Sequence, residues 1–432
     1  RYKNQEFTHN KSVMIMKNKE LLDMLEKGTC TFTCTYFLKE ILLKNNFKEL
    51  KETDIWNLQE GNYFVTRNDA SLIAFKVPSK KDHFQIITTH NDTPSFLLKP
   101  KGANVTENYL SVNVMPYGGL LNYGWLDHPL SLAGRLYTKK KTKIQKQIVD
   151  LKEALAIIPS VAIHLNDKAN SSLDLNMQKD LQPILGLSQK EKDFEKILRE
   201  KLNLQASEEI LDYDFFLYNK DAAEIIESDL LLSPRIDNIT SVSASFYAFL
   251  ETKATSHINL FCTFNHEEIG SLTKEGAESD FLIDTLKRIS ASLKMDVASS
   301  LAKSFIISSD NTHAVHPNHP EYKDLTGNVY LGKGFAIIKE VASTTDASFS
   351  SLLKDLCQKN KIPYQDATLK NDLTGGSTLS SLSLRQVSVN SIDVGIGELA
   401  MHSSLEVCSL KDYEALKAMM KLFYKTSLKE IR

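Results

Sequence analysis

The amino-acid sequence predicts an α/β fold interrupted by a β-rich insertion, on three observations. Apolar runs of five to seven residues, FQIIT (84–88), INLFCTF (258–264) and SFIISS (304–309), have the length and composition of buried strands. Segments with apolar residues at helical spacing follow such strands, as at 231–251 and 279–293. Between about 101 and 224 this texture gives way to short alternating segments punctuated by glycines, which reads as an inserted antiparallel domain. Residues 1–100 and 225–432 then form the main body.

Each element has its own justification along the chain. Val13, Met16, Leu21, Leu22, Met24 and Leu25 recur at helical spacing, and a second helix is expected at 36–43. Residues 62–77 read as two strands joined at Arg67-Asn68-Asp69, a hairpin signal. The run FQIIT then ends in THNDTPSFLLKP. Within the insertion, the basic run at 139–146 reads as a solvated loop or edge strand. AIIPSVAIHLN (156–166) reads as an apolar strand carrying His164, and 189–202 as a surface helix. Asp237 stands where an N-cap is expected, at the turn SPRIDN before an amphipathic helix. KGFAIIK (333–339) reads as a strand ending in Lys339, and 346–359 as a helix. NDLTGGSTLSSLSLR reads as a Gly-Gly turn before another helix. A last helix, 411–431, has its apolar face at Ala415, Leu416, Met419, Met420, Phe423 and Tyr424.

Composition narrows the function classes. A chain of 432 residues suffices for two domains and a sizeable core. A net charge of −2 gives no reason to expect nucleic acid or an anionic membrane as partner. No apolar run approaches the roughly 18 residues of a membrane span, and RYKNQEFTHNK has no signal-peptide core. Five scattered cysteines, none in Cys-x-x-Cys, are expected to be reduced, and the protein cytoplasmic.

The chemistry gathers at strand ends. Glu267 and Glu268 follow INLFCTF directly, in NHEEIGS. Adjacent side chains at a strand end point to opposite sides, so one carboxylate can hold a metal while the other serves as general base. Alone, the pair would read as a solvated acidic turn. Its companions change that reading. His90 and Asp92 form a His-x-Asp just past FQIIT, where a carboxylate can orient a ligating imidazole. Asp310 follows SFIISS, in a loop that also holds His313, His316 and His319. Parallel neighbours in an open sheet bring such ends together. With Asp237 and His402 added, five nitrogen and oxygen ligands can surround a pair of ions, a set suited to two-metal hydrolysis. A mononuclear His-Glu-x-x-His protease is excluded, because Gly270 stands where the second His would be.

The ordered segments THNDTPSFLLKP, YGGLLNYGWLDHPLSLAGRL, IPSVAIHL, SPRIDN, NHEEIGS, SSDNTHAVHPN, GKGFAIIK, GGST and ELAMHS resemble the motifs of the aspartyl aminopeptidase family of dinuclear metallopeptidases. The resemblance covers nearly the whole chain. It implies a zinc-peptidase-like catalytic domain with a central mixed sheet, an inserted β-rich dimerisation domain, and assembly into a homododecamer. It also implies two divalent ions, Zn²⁺ with Co²⁺ or Mn²⁺ as alternatives. By motif, His90 and Asp310 would hold one ion, Glu268 and His402 the other, with Asp237 bridging. Glu267 would be the general base and Asp92 the support of His90. His313 and Lys339 would read substrate, and His164 would reach a neighbouring subunit's site.

The chain departs from the family at Ser95, at His128, near Met115 and at Asp346, none of them an expected ligand. The expected activity is removal of an N-terminal residue, acidic if Lys339 ends in a dry pocket facing the metals. The rivals are another di-metal amidohydrolase, an aminopeptidase preferring apolar N-termini, and a non-catalytic scaffold, against which the complete ligand set with Glu267 argues.

Overall fold

The Asn68-Asp69 turn has both residues at positive φ (55° and 56°), and the Ala70 amide donates back to the Arg67 carbonyl at 3.1 Å, closing a tight hairpin turn. It is one of several local signals that organise the computed structural model, which describes residues 13–191, 193–227, 229–253, 256–373 and 387–428. The expected Gly-Gly turn at 375–376 and the helix after it lie outside the described residues.

Helices Lys19–Lys27 and Thr31–Lys44 lead into β1 (Lys48–Leu50), β2 (Gly61–Arg67), β3 (Ser71–Val77) and β4 (Phe84–His90). The expected insertion overlaps β5 (Ser95–Thr106), which begins ahead of the expected start near 101, and spans β6 (Tyr109–Tyr117), β7 (Pro129–Lys140), β8 (Lys143–Asp150), β9 (Ala156–Ile157), β10 (Ile184–Leu187), helix Asp193–Lys201 and β11 (Glu208–Asn219). Next come β12 (Glu224–Ile226), β13 (Leu230–Ser233), helix Ile236–Glu251, β14 (Ile258–Phe264), helix Phe281–Leu293, β15 (Phe305–Ser309) and β16 (Thr312–His313). The chain continues through β17 (Phe335–Ile338), helix Ala347–Lys359, β18 (Tyr364–Ala367), β19 (Asn390–Gly395), β20 (Gly397–Leu399), β21 (Glu406–Ser409) and helix Leu410–Lys425.

The central sheet is mixed, in the order β1-β2-β3-β14-β4-β15-β19-β17-β18. Its middle strands β14, β4, β15 and β19 are parallel. Leu260 and Cys262 of β14 pack with Ile86 and Ile306 beneath helix Phe281–Leu293. Phe261 faces the other way, with Ile87 and Ile307, beneath helices Ile236–Glu251 and Leu410–Lys425. Burial on both faces is why these runs are continuously apolar. The expected face of the last helix, from Ala415 to Tyr424, is buried in that second layer.

The insertion's strands form a sheet in the order β11-β5-β6-β10-β9-β7-β8, and the additional β11–β7 pairing closes it on itself. Phe96, Val112, Leu130, Leu132, Phe215 and Leu217 fill its interior. A third sheet, β12-β13-β21-β20-β16, sits beside the main one. β8, which carries part of the basic run, is an exposed edge strand.

Two expectations are corrected. The apolar strand expected around His164 stops at Ile157, because β9 is only two residues long and finds no partner beyond it. His164 lies in a turn instead, and Val161 (62 %) and Leu165 (82 %) beside it are exposed. Lys339 does not end in a dry pocket facing the ligands. β17 runs antiparallel to β19, with Ala336 opposite Gly395 and Ile338 opposite Asp393. Its C-terminal end therefore points away from the edge where Asp310 sits, and Lys339 is exposed.

Candidate metal centre

The four parallel strands end along one edge of the sheet, and the candidate ligands stand there. His90 closes β4 opposite Phe264, the last residue of β14. Three residues beyond β14, a short 3-10 turn (Glu267–Ile269) lies between His266 and Gly270, both in left-handed backbone. Asp310 follows β15, and His402 lies in the turn between β20 and β21 at φ 66°. Asp237 is not an N-cap. Asp237 (φ −81°, ψ 109°) and Asn238 (φ −122°, ψ 26°) leave helical geometry, and the Asp237 side chain points into the cluster.

The distances are those of one shared site. His90 Nε2 lies 3.2 Å from Asp310 Oδ1 and 3.5 Å from Asp237 Oδ1. His402 Nε2 lies 3.2 Å from Asp237 Oδ2 and 3.5 Å from Glu268 Oε2. Three triads each bring their ligand atoms within 4.8 Å of one another: His90-Asp237-Asp310, His90-Glu267-Glu268 and Asp237-Glu268-His402. Asp237 Oδ1 and Glu268 Oε1 are buried with no hydrogen-bond partner. Buried carboxylate oxygens without donors, beside two imidazoles, fit hard or borderline divalent cations.

A supporting layer holds these groups. His90 Nδ1 meets the Asp92 carbonyl at 3.0 Å, which turns Nε2 toward the carboxylates. The buried Asp92 carboxylate accepts the amides of Glu267 (3.2 Å) and Glu268 (3.1 Å), and Tyr117 donates its hydroxyl to it at 2.7 Å. His402 Nδ1 meets the Gly119 carbonyl at 2.7 Å, fixing the second imidazole in the same way. Gly118 needs to be glycine, since at φ 77° a Cβ there would stand 3.1 Å from the Glu268 Cβ. Glu406 accepts the amides of both His402 and Asp237.

The electrostatics follow from crowding. Burial, the largest influence, pushes Glu267 up to about 8 and Glu268 well above the usual carboxylate range. Burial works against ionising Asp237 too, but hydrogen bonds from His402 and His90 hold its carboxyl below the usual range. Burial likewise disfavours charge on His402, yet Asp237 lifts that ring to about 9. Such a cluster of acids around two imidazoles attracts positive charge.

His90, Asp92, Asp237, Glu267, Glu268, Asp310 and His402 thus come together. His313 stands on β16 at the rim; burial and the Lys323 ammonium lower its pKa, while Asp237 and Asp310 act in the opposite sense. Lys339 and His164 lie outside the cluster. The roles of Tyr117, Gly118, Gly119 and Glu406 escaped the sequence reading. Their signals were the YGG triplet and the acid four residues after His402.

Residues 24–424 match the model of a family described as Aminopeptidase I zinc metalloprotease (M18). The chain is 37% identical to the probable M18 family aminopeptidase 2 of Clostridium novyi (strain NT), across 95% of this chain and 100% of that protein. It resembles a chain in the cryo-EM structure of the Ape4 and Nbr1 complex (TM-score 0.91, 30% identity, 96% of this chain and 86% of that one). The S. cerevisiae mApe1 dodecamer gives a TM-score of 0.83 at 25% identity, over 95% of this chain and 96% of that one.

Proposed function

Because this chain belongs to the aminopeptidase I zinc metalloprotease family (M18), and is therefore a metal-dependent aminopeptidase, we propose how its residues divide the work. His90 and Asp310 would hold one divalent ion and Glu268 and His402 the other, with Asp237 available to both. The observation that carries this reading is the Asp237 carboxylate, whose two oxygens face different histidines. When bound, the ions supply Lewis acidity toward the scissile carbonyl and toward water. Glu267, with Oε2 3.9 Å from His90 Nε2, is left as the general base. It takes a proton from the attacking water and returns it to the leaving amine. Asp92 holds the backbone of both glutamates and the ring of His90 in register.

We further propose that the residue removed is acidic. A pocket of about 260 Å³ adjoins the centre, lined by His313, His316, Tyr322, Lys323 and Ala400. The partly buried Lys323 ammonium donates to the His313 carbonyl at 2.6 Å. Among the described residues no carboxylate lies within ion-pair distance of it. An N-terminal Asp or Glu side chain would supply that counter-charge. The chain also assembles with copies of itself, a dimer growing to a homododecamer, with the exposed His164 turn reaching a neighbouring site. The five cysteines are buried and unpaired, in keeping with a reducing cytoplasm.

The test uses peptides capped by Asp, Glu or Leu, with and without N-acetylation, before and after chelation. Activity lost on chelation, restored by Zn²⁺, Co²⁺ or Mn²⁺ and absent on acetylated peptides is expected. Full activity after chelation would sink the metal reading. Equal kcat/KM for Asp and Leu would remove the acidic preference alone. Lys323→Met should erase that preference, and a preference retained in Lys323→Met would remove this pocket as its source.

A further inference from the structure

We propose that Glu406 is a positioning residue for the metal centre, one carboxylate that locks the backbones of two ligands drawn from distant parts of the chain. The inference rests on Asp237 and His402 being ligands. Glu406 opens β21 and is 2 % exposed. Its Oε1 accepts the His402 amide at 2.8 Å and its Oε2 the Asp237 amide at 3.1 Å. Both amides sit in irregular backbone, His402 at φ 66° and Asp237 two residues after Arg235 at φ 64°. The carboxylate fills a gap that no strand ladder or helical turn covers.

The contacts close a ring. From Glu406 the path runs to the His402 amide, through the imidazole to Asp237 Oδ2 at 3.2 Å, and back through the Asp237 amide to Glu406. Glu406 is also anchored from outside, since it pairs with Ser233 of β13, just ahead of the Asp237 turn. Two donors facing one side chain require two acceptor oxygens. Glutamine offers one oxygen and one NH₂ group, so one amide would face another donor. Aspartate keeps both oxygens on a stem one carbon shorter and should secure one amide less well.

The experiment challenges zinc-loaded protein with a graded chelator and counts metal per chain, alongside the Co²⁺ absorption spectrum and the melting temperature. The wild type should hold two ions. Glu406→Gln should release one ion at 10–100-fold lower chelator, the span typical of groups that orient ligands, with an altered Co²⁺ spectrum. Glu406→Asp should lie between them. Lys76→Met, a destabilising change at the far side of the central sheet, should keep the wild-type metal profile. Wild-type retention in Glu406→Gln overturns the proposal, as does equal metal loss in Lys76→Met, which would make the effect general destabilisation. If Glu406→Gln does not fold, wild-type retention in Glu406→Asp overturns it. A wild type holding fewer than two ions would instead sink the ligand assignment beneath it.

Discussion

Glu267 and Glu268 are chain neighbours in different surroundings. The Glu268 side chain is 4 % exposed, with one oxygen 3.5 Å from His402 Nε2 and the other without a donor. Glu267 is 13 % exposed and 3.9 Å from His90, close enough to serve the reaction and too far to be spent on the imidazole. Glu267→Gln should therefore keep both ions and lose roughly 10²–10⁴ in kcat, the contribution typical of a general base. Glu268→Gln should release an ion first. Metal analysis beside steady-state kinetics separates the two, and the reverse pattern would exchange their roles. These residues were legible because each ends an apolar run, and strand ends of an open sheet are where ligands gather. Glu406 and Tyr117 were not, because a buried side chain that satisfies a distant amide or carboxylate leaves no periodic trace. Lys339 misled for a related reason. Apolar runs identify strands but not their direction, and β17 is antiparallel to its neighbour β19.

Polar side chains of the central strands cap the helices packed on them. Lys76 on β3 donates to the carbonyls of Phe249 (2.7 Å), Leu250 (3.1 Å) and Thr252 (2.7 Å), at the C-terminal end of helix Ile236–Glu251. Burial pushes its pKa down to about 8, so it remains mostly cationic at neutral pH, the charge that suits a helix C-terminus. Lys76→Met should cost about 1–3 kcal/mol, from orphaned carbonyls, in denaturant titrations. Gln85, His257 and Asn259 do the same for helix Leu410–Lys425, through the Phe423 and Tyr424 carbonyls. Burial lowers His257 to about 4, against an ordinary value near 6.5. The unfolded chain therefore binds this proton first as pH falls. The contribution is complete above pH 6.5 and declines toward pH 4, by roughly 2 kcal/mol between pH 6.5 and 5. Unfolding midpoints at both pH values should drop further in the wild type than in His257→Gln, and parallel drops would refute the assignment. None of this capping was read from the sequence, where Lys76 and Gln85 stand as single polar residues within apolar strand segments.

At the scale of the whole molecule, the centre is built by the main body and propped by the insertion. Tyr117 and Gly119 reach Asp92 and His402 from the end of β6 and the residues just after it. The same insertion sends the turn around His164 outward, with Val161 and Leu165 exposed. Apolar side chains displayed together at a turn are costly to leave in water and suit contact with another copy of the chain. Val161→Asp combined with Leu165→Asp should reduce the assembly size in light scattering and lower kcat/KM. His164→Ala should leave the size unchanged and lower catalysis alone. Mixing decides whether His164 acts across the interface. His164→Ala and Glu267→Gln are each crippled, but subunits exchanged between them can pair an intact Glu267 with a neighbour's intact His164. Random exchange in equal amounts makes about a quarter of the sites complete, so activity should rise well above either parent. If His164 served its own subunit, every site would lack one group or the other, and mixing would recover nothing.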